Sequence, residues 1–543
     1  MSTTTAEAPK SPATPDSGTT AKKGFDAGYL VRWAIPLIIG LVIWFVPVPE
    51  GVKPQGMHML AIFVFTIIAL ITQPLPTGSV SIIGLAAAMI LNVMPMAGQK
   101  IPVAADLTKA VQGLSVDQAA AIAKYLKSAV NGGTAIPALA GFQNSTVWLI
   151  VAAFFLSEGF LITGLGRRIA LLFTRSLGKS SLGLSYGMAI TDLVLAPFTP
   201  SNTARAGGVI YPIIRSLAEL EDSHPTSDES RKRLGSFMMM TAVVINTITS
   251  AMFLTAMAGN PVSQLAANSL GLPNVNINWT NWALGAVVPG LISLIVIPLI
   301  MYKIYAPTLK HTPEAPAMAI EELRKIGAVT KNEIIMIVTF VVLLILWIFG
   351  NQNGTALGIG NINATAAAFF GILVLLVTKV LTWKDMANNK SAWQTLIFFG
   401  VLVGMADYLN VLGVVPWVGR VMASAVQGWS WVAAFALLAL VYFYVHYLFA
   451  SNTAQITAMY AVFLTTSIAA GAPPLFAAMM LAYIGNLFGA LTHYASGPCG
   501  VFFGSGYIKT SEWFRTAFIM SIPVLLIWGV IGTGWMKLVG IWG

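Results

Sequence analysis

Charge is scarce in this chain. Only 9% of its 543 residues are Asp, Glu, Lys or Arg, against about 25% in soluble domains, which excludes an ordinary soluble fold. Cys499 is the only cysteine, so no intrachain disulfide can form and no thiolate metal cluster is on offer. Histidines are few and ungrouped: His446 and His493 lie far apart and lack a third convergent ligand. An intramembrane enzyme would need a nucleophile with its base or a metal cluster, and neither pattern is present. Residues 1–27 are rich in Ser, Thr, Pro and Ala and carry no apolar core of a signal peptide, so they read as a disordered cytoplasmic tail.

What is present is hydrophobic sequence, 57% of the chain. Segments long enough to cross a bilayer, at roughly 20 residues each, fall near 30–48, 57–74, 77–94, 144–163, 235–260, 282–304, 333–350, 362–381, 393–412, 474–500 and 517–536. This predicts an all-α polytopic membrane protein with about eleven transmembrane helices. With the N-terminus cytoplasmic, eighteen Lys and Arg of the connecting loops fall inside and seven outside, the asymmetry of the positive-inside rule. The formal charge of +10 is accounted for in this way, without a nucleic-acid partner. The segment 99–143 reads as an external loop with an amphipathic helix, and 164–179 as a basic amphipathic helix on the membrane surface.

Two apolar stretches remain, 181–214 and 430–470. Each is too long for one helix and carries Ser-Asn-Thr at its middle: Ser201, Asn202 and Thr203 in one, Ser451, Asn452 and Thr453 in the other. A re-entrant helical hairpin with the triplet at its tip fits both. The motif serines are 250 residues apart, while Glu158 and Asp407, and likewise Gly164 and Gly413, are 249 apart. The halves therefore share one plan, and the crossings at 144–163 and 393–412 run in opposite directions, as in the inverted repeats of secondary transporters. After each hairpin a crossing is interrupted, at "TITSAMFLTAMAGNPVSQ" and "GNLFGALTHYASGPCG", where Pro and Gly favour unwound backbone.

One isolated Ser-Asn-Thr would be only a helix cap. Two copies at equivalent places predict two tips that grip the carboxylates of one dicarboxylate through neutral donors. Arg205, one turn past Ser201, adds a fixed positive charge. Carrying that charge empty through the bilayer would be costly, and a bound dianion would offset it, so transport is expected only when loaded. Glu158, Asp192 and Asp407 are intramembrane acids outside this core site.

The double Ser-Asn-Thr, "GLGRRIALLF", "APFTPSNTARAGGVIYPI" and "FFGSGY" resemble the divalent anion/sodium symporter family, and most of all its 2-oxoglutarate/malate translocators and citrate/succinate exchangers. The resemblance is dense over residues 140–540 and loose over the first three crossings. It implies an elevator-type carrier of di- or tricarboxylates, a homodimer, with both triplets on the substrate carboxylates. Scaffold helices would then occupy 28–180 and 311–429, and the mobile transport halves 181–310 and 430–543. The sodium-coupled members resemble one another in a Ser or Thr four residues before each motif. Pro197 and Tyr447 stand there in this chain, which speaks against sodium and for exchange, with no cofactor. The alternative is a sodium symporter of the same fold, its cation held by backbone between Ser250 and Phe253 and between Gly489 and Thr492.

Overall fold

Each Ser-Asn-Thr motif begins a helix. In the computed structural model, which describes residues 27–94, 137–270, 275–353, 362–425 and 428–542, Ser201 Oγ accepts from the Ala204 amide at 3.1 Å. Ser451 Oγ accepts from the Ala454 amide at 3.4 Å. A serine cap of this kind satisfies one of the orphan donors of a helix start. The arms leading into the tips are built alike as well: Ser181–Leu195 with a 3-10 turn Ala196–Phe198, and Trp431–Tyr444 with a 3-10 turn Val445–Leu448. Both arms open on a serine cap, Ser180 on the Gly183 amide and Ser430 on the Ala433 amide. The return arms run from Asn202 through a π-turn at Ala206–Ile210 into Tyr211–Leu220, and from Asn452 to Ala469.

Both interrupted crossings are broken where Gly and Pro fall. The first is Gly235–Met252, a 3-10 turn Leu254–Ala256 and Gly259–Asn268, with extended backbone at Phe253 and Met257. The second is Pro474–Leu487, a 3-10 turn Phe488–Ala490 and Gly497–Gly504. A break frees backbone carbonyls, and the chain's own side chains take them up. Asn260 Nδ2 donates to the Ser250 and Phe253 carbonyls at 2.9 and 3.0 Å, while Ser496 Oγ and Cys499 Sγ donate to the Gly489 carbonyl. Asn486 Nδ2 donates to Asn260 Oδ1 at 2.7 Å and so ties one break to the other.

Among the described residues, nine helices are long and apolar enough to cross a membrane, and two of them are the first arms of the hairpins. The other seven fall at expected crossings, and shorter apolar helices fall at the remaining four: Tyr29–Trp44, Thr77–Ile90, Ala364–Val377 and Pro474–Ala490. The expected span 362–381 is cut short because Lys379 turns into the left-handed region at φ 60° and Thr382 caps the next helix. All residues of Gly235–Met252 are buried, so this helix is the axis of the bundle. By contrast Leu37, Ile38 and Val42 on the first helix are more than half exposed, an apolar face of the kind that a bilayer or another subunit covers.

Gly164 and Gly413, matched in the sequence, end their helices at φ 72° and 83°; such a left-handed residue closes a helix at little cost only when it is glycine. Two ion pairs clasp one end of the bundle. Arg231 meets Glu512 through both nitrogens at 2.6 and 2.7 Å, with Tyr305 donating to the same carboxylate. Arg168 meets Glu333 and also donates to the Gly327 and Ala328 carbonyls. Of the expected tail 1–27, residues 1–26 lie outside the described residues and Ala27 already begins the first helix. Most of the loop 99–143 also lies outside them, and its end, Pro137–Gln143, packs against Lys390–Val411.

Candidate functional site

The two tips meet. Ser201, Asn202 and Thr203 and Ser451, Asn452 and Thr453 line a single cavity of about 200 Å³. Pro200, Met257, Ala258, Ser496 and Gly497 complete it from the tip and the two breaks, and Phe154 comes from the helix Ser145–Thr163. No lining residue is charged.

The positive potential of the cavity comes from backbone. Four helices begin at its wall, at Asn202, Gly259, Asn452 and Gly497. The first amides of a helix have no partner within it, and the summed peptide dipoles place partial positive charge there. Four such ends around one cavity, with serine and threonine hydroxyls and no acid, favour an anion. Ser201 and Ser451 each accept at their caps, so each hydroxyl proton is left to donate. Asn452 is more constrained: Nδ2 donates to the Gly485 and Asn486 carbonyls, and Oδ1 is buried without a partner.

Arg205 is not in this wall. It is fully buried behind the first tip, with Nε on Asp192 at 2.7 Å, Nη1 on the Thr199 and Ala256 carbonyls, and Nη2 on the Thr249 and Ser250 hydroxyls. A guanidinium has five N–H groups, and all five are used. The expectation that Arg205 meets the substrate is therefore corrected, as is the charge argument built on it. Asp192 cancels the charge whether the cavity is filled or empty, and Thr249 Oγ1 and Asn246 Nδ2 hold that carboxylate from its other side.

The second half places Gln455 and His446 in the equivalent position. Gln455 Nε2 donates to the Tyr442 carbonyl at 2.6 Å, and His446 Nδ1 faces Gln455 Oε1 at 2.6 Å. His446 Nε2 faces the Ala495 carbonyl at 3.1 Å, so both ring nitrogens look at oxygens; a neutral ring satisfies one of them and a protonated ring both. His493 does not line the cavity and packs against the Phe503 ring, tilted by 32° with centroids 4.3 Å apart. Among the described residues no group of three His, Cys, Asp or Glu is placed to hold a metal ion.

The four residues considered for a cation are likewise set back from the cavity. Ser250 receives Arg205 on its hydroxyl and Asn260 on its carbonyl; Phe253 receives Asn260 and the Ala256 amide on its carbonyl. Gly489 receives Ser496 and Cys499, and the Thr492 carbonyl receives the Ala495 amide. Thr492 Oγ1 alone is buried without a partner. Sequence reasoning did not assign Phe154, Pro200, Met257, Ala258, Ser496 or Gly497 to the site. The last four sit beside the Gly and Pro that mark the breaks and were within reach; Phe154 is one apolar residue among many.

Helical hairpins whose tips meet on one cavity with no charged lining residue, within a bundle whose outer faces are apolar, define a membrane transport protein and not an enzyme. Residues 28–542 match the family described as the sodium:sulfate symporter transmembrane region, and the chain belongs to that family. It is 46% identical over 514 residues to the putative malate transporter YflS of Bacillus subtilis, covering 94% of this chain and 97% of that one. It is 42% identical over 506 residues to dicarboxylate transporter 1 of the Arabidopsis thaliana chloroplast, covering 93% and 82%. To the citrate/succinate antiporter of Escherichia coli K12 it is 33% identical over 506 residues, covering 91% and 97%. The crystal structure of the Alcanivorax borkumensis YdaH transporter shares the fold, with a TM-score of 0.54 at 14% identity over 90% of this chain and 100% of that one.

Proposed function

We propose that the protein is a secondary carrier of di- and tricarboxylates that works by obligate exchange. The observation that carries this reading is the meeting of both Ser-Asn-Thr tips on one cavity with four helix starts and no charged side chain in its wall. Neutral donors hold carboxylates without the desolvation cost of a buried lysine, and release them as readily. The relatives bear names for malate, dicarboxylates and citrate with succinate, which supports the substrate class.

Exchange is supported by the antiporter among the relatives and by what fills the junctions behind the tips. At the first, the Arg205 guanidinium bonds the Thr199 carbonyl of the tip and the Ala256 carbonyl of the break. A tethered cation thus joins the parts that a mobile one would join in a coupled symporter. At the second, His446 and Gln455 take the equivalent place.

In this reading about eleven crossings and two re-entrant hairpins sit in a bacterial inner membrane with the N-terminus cytoplasmic. The hairpins and broken crossings, in 181–310 and 430–543, move as an elevator against scaffold helices in 28–180 and 311–429 of a homodimer. Proteoliposomes loaded with labelled malate test it. Efflux into sodium-free, substrate-free buffer is expected near zero and rises when 2-oxoglutarate, succinate or citrate is added outside. Rapid efflux without outside substrate refutes exchange, and uptake that requires sodium selects the symporter alternative.

A further inference from the structure

A second cavity, of about 270 Å³, lies beside the second Ser-Asn-Thr tip and shares no lining residue with the first cavity. Its wall is made by five helices: Pro54–Thr72, Lys390–Val411 and Val414–Ala425 on one side, Gly259–Asn268 and Asn452–Ala469 on the other. Phe63, Phe399, Leu402, Val262 and Ile456 are typical of that wall, which is aliphatic and aromatic almost throughout. The volume falls just below the roughly 300–1,000 Å³ of pockets for drug-sized ligands.

One group does not belong in such a wall. Asp407 lines the cavity, and among the described residues it takes part in no ion pair. No Lys, Arg or His stands in the wall. The other two polar residues there are Ser269 and Thr457, and the Thr457 hydroxyl is engaged by the Thr453 carbonyl at 2.7 Å. A half-buried carboxylate in largely apolar surroundings, here near the end of the spanning helix Lys390–Leu409, is stabilised when a cation arrives with it. An apolar body with one positive end matches both features of the cavity: the body replaces water against the aliphatic wall, and the ammonium meets Asp407.

We propose that this cavity is a binding site for lipophilic primary amines, with Asp407 as the counter-ion. The occupant touches helices on both sides of the boundary between scaffold and transport halves, and sits one turn from Thr453 at the second tip. Resting on the elevator reading, it follows that a bound amine wedges that boundary and slows exchange without competing for the carboxylate site.

The test uses the full-length protein in lipid nanodiscs, so that detergent does not compete for the cavity. Three cage compounds of nearly equal size are compared at pH 7: 1-adamantylamine, 1-adamantanol and adamantane-1-carboxylate. The amine is expected to raise the unfolding temperature and to bind at least tenfold more tightly than the alcohol, with the carboxylate weakest. Asp407→Asn is expected to bring amine and alcohol to equal affinity, and Val262→Trp, which fills the cavity from the opposite wall with Asp407 intact, to abolish binding of both. Equal affinity of amine and alcohol for the wild type, or an amine preference that survives Asp407→Asn, overturns the proposal. Amine binding that leaves malate exchange untouched keeps the site and counts against the elevator reading instead. Exchange that fails with no amine present counts against the carrier reading and leaves the binding result standing.

Discussion

A methyl group added to Gly497 would lie 2.0 Å from Thr203 Oγ1. The start of the last broken helix and the tip of the first hairpin, almost 300 residues apart in the chain, are thus in contact across the cavity, and only a hydrogen fits between them. Gly497→Ala forces the Thr203 side chain to rotate away, because the clash falls on the end of a side chain and not on backbone. Malate exchange in proteoliposomes is expected to fall at least tenfold, while the unfolding temperature stays within a few degrees of the wild type. Normal exchange by this variant would mean that Thr203 has no part in binding.

Arg205 and Asp192 make a second test, one that separates structure from binding. Removing one member of a buried pair leaves an uncompensated charge, at a cost of about 3–5 kcal/mol. Arg205→Met is expected to lose that much stability, and the double variant Asp192→Asn with Arg205→Met to recover more than half of it. Arg205→Lys does not rescue, since an ammonium has three donors for the five acceptors that the guanidinium reaches. Chemical or thermal unfolding of these variants, with Asp192→Asn alone and the wild type to close the cycle, measures the coupling. A stable Arg205→Met protein with merely weaker substrate affinity would restore Arg205 to the binding site.

The contrast between these two residues shows what the chain discloses on its own. The duplicated Ser-Asn-Thr, the matched Gly164 and Gly413, and the Gly and Pro at the breaks are local signals, each fixed by cap or backbone chemistry, and each survives in the structure. Arg205 was legible as a charge near the tip, but its partner stands on the other arm of the hairpin. Only folding the arms together shows that Asp192 has already neutralised it. Phe154 illustrates the remaining limit: in a run such as "VAAFFLSEGF" every residue suits a membrane helix, and the one that faces the cavity is chosen by helix rotation, which neighbouring helices decide.

Glu221, at the end of the first hairpin's return arm, sets a pH dependence. Its side chain is buried with Oε1 unpartnered. Burial, followed by the nearby charge of Glu314, pushes its carboxyl above the ordinary value of 4.5, and Arg233 offsets this only in part. A carboxyl that holds its proton more tightly in the folded state stabilises that state below about pH 4.5, and the benefit is lost as pH rises through the folded value. The unfolding temperature is therefore expected to decline from pH 4.5 toward neutrality, and Glu221→Gln to flatten that decline. Tryptophan fluorescence during heating at each pH measures both curves. A decline of the same size in the variant would assign it to another group.

On the proposed reading the serines at the two tips, which the structure shows as caps, hold a second role in binding that substitution can separate from the first. Replacing an N-cap serine by alanine costs about 1 kcal/mol of stability, while glycine costs only a few tenths. Both substitutions, however, remove the hydroxyl proton that is left free at Ser201 and Ser451. A hydrogen bond to a carboxylate contributes about 1.5–3 kcal/mol, so each loss should raise the half-saturating malate concentration roughly tenfold to a hundredfold. Ser201→Gly is expected to melt close to the wild type and yet bind as poorly as Ser201→Ala, and the same holds for Ser451. If the serines served only as caps, the glycine variants would transport normally. Because both tips face one cavity, Ser201→Gly and Ser451→Gly should also weaken binding to a similar degree. A defect confined to one of them would mean that the substrate rests on a single tip.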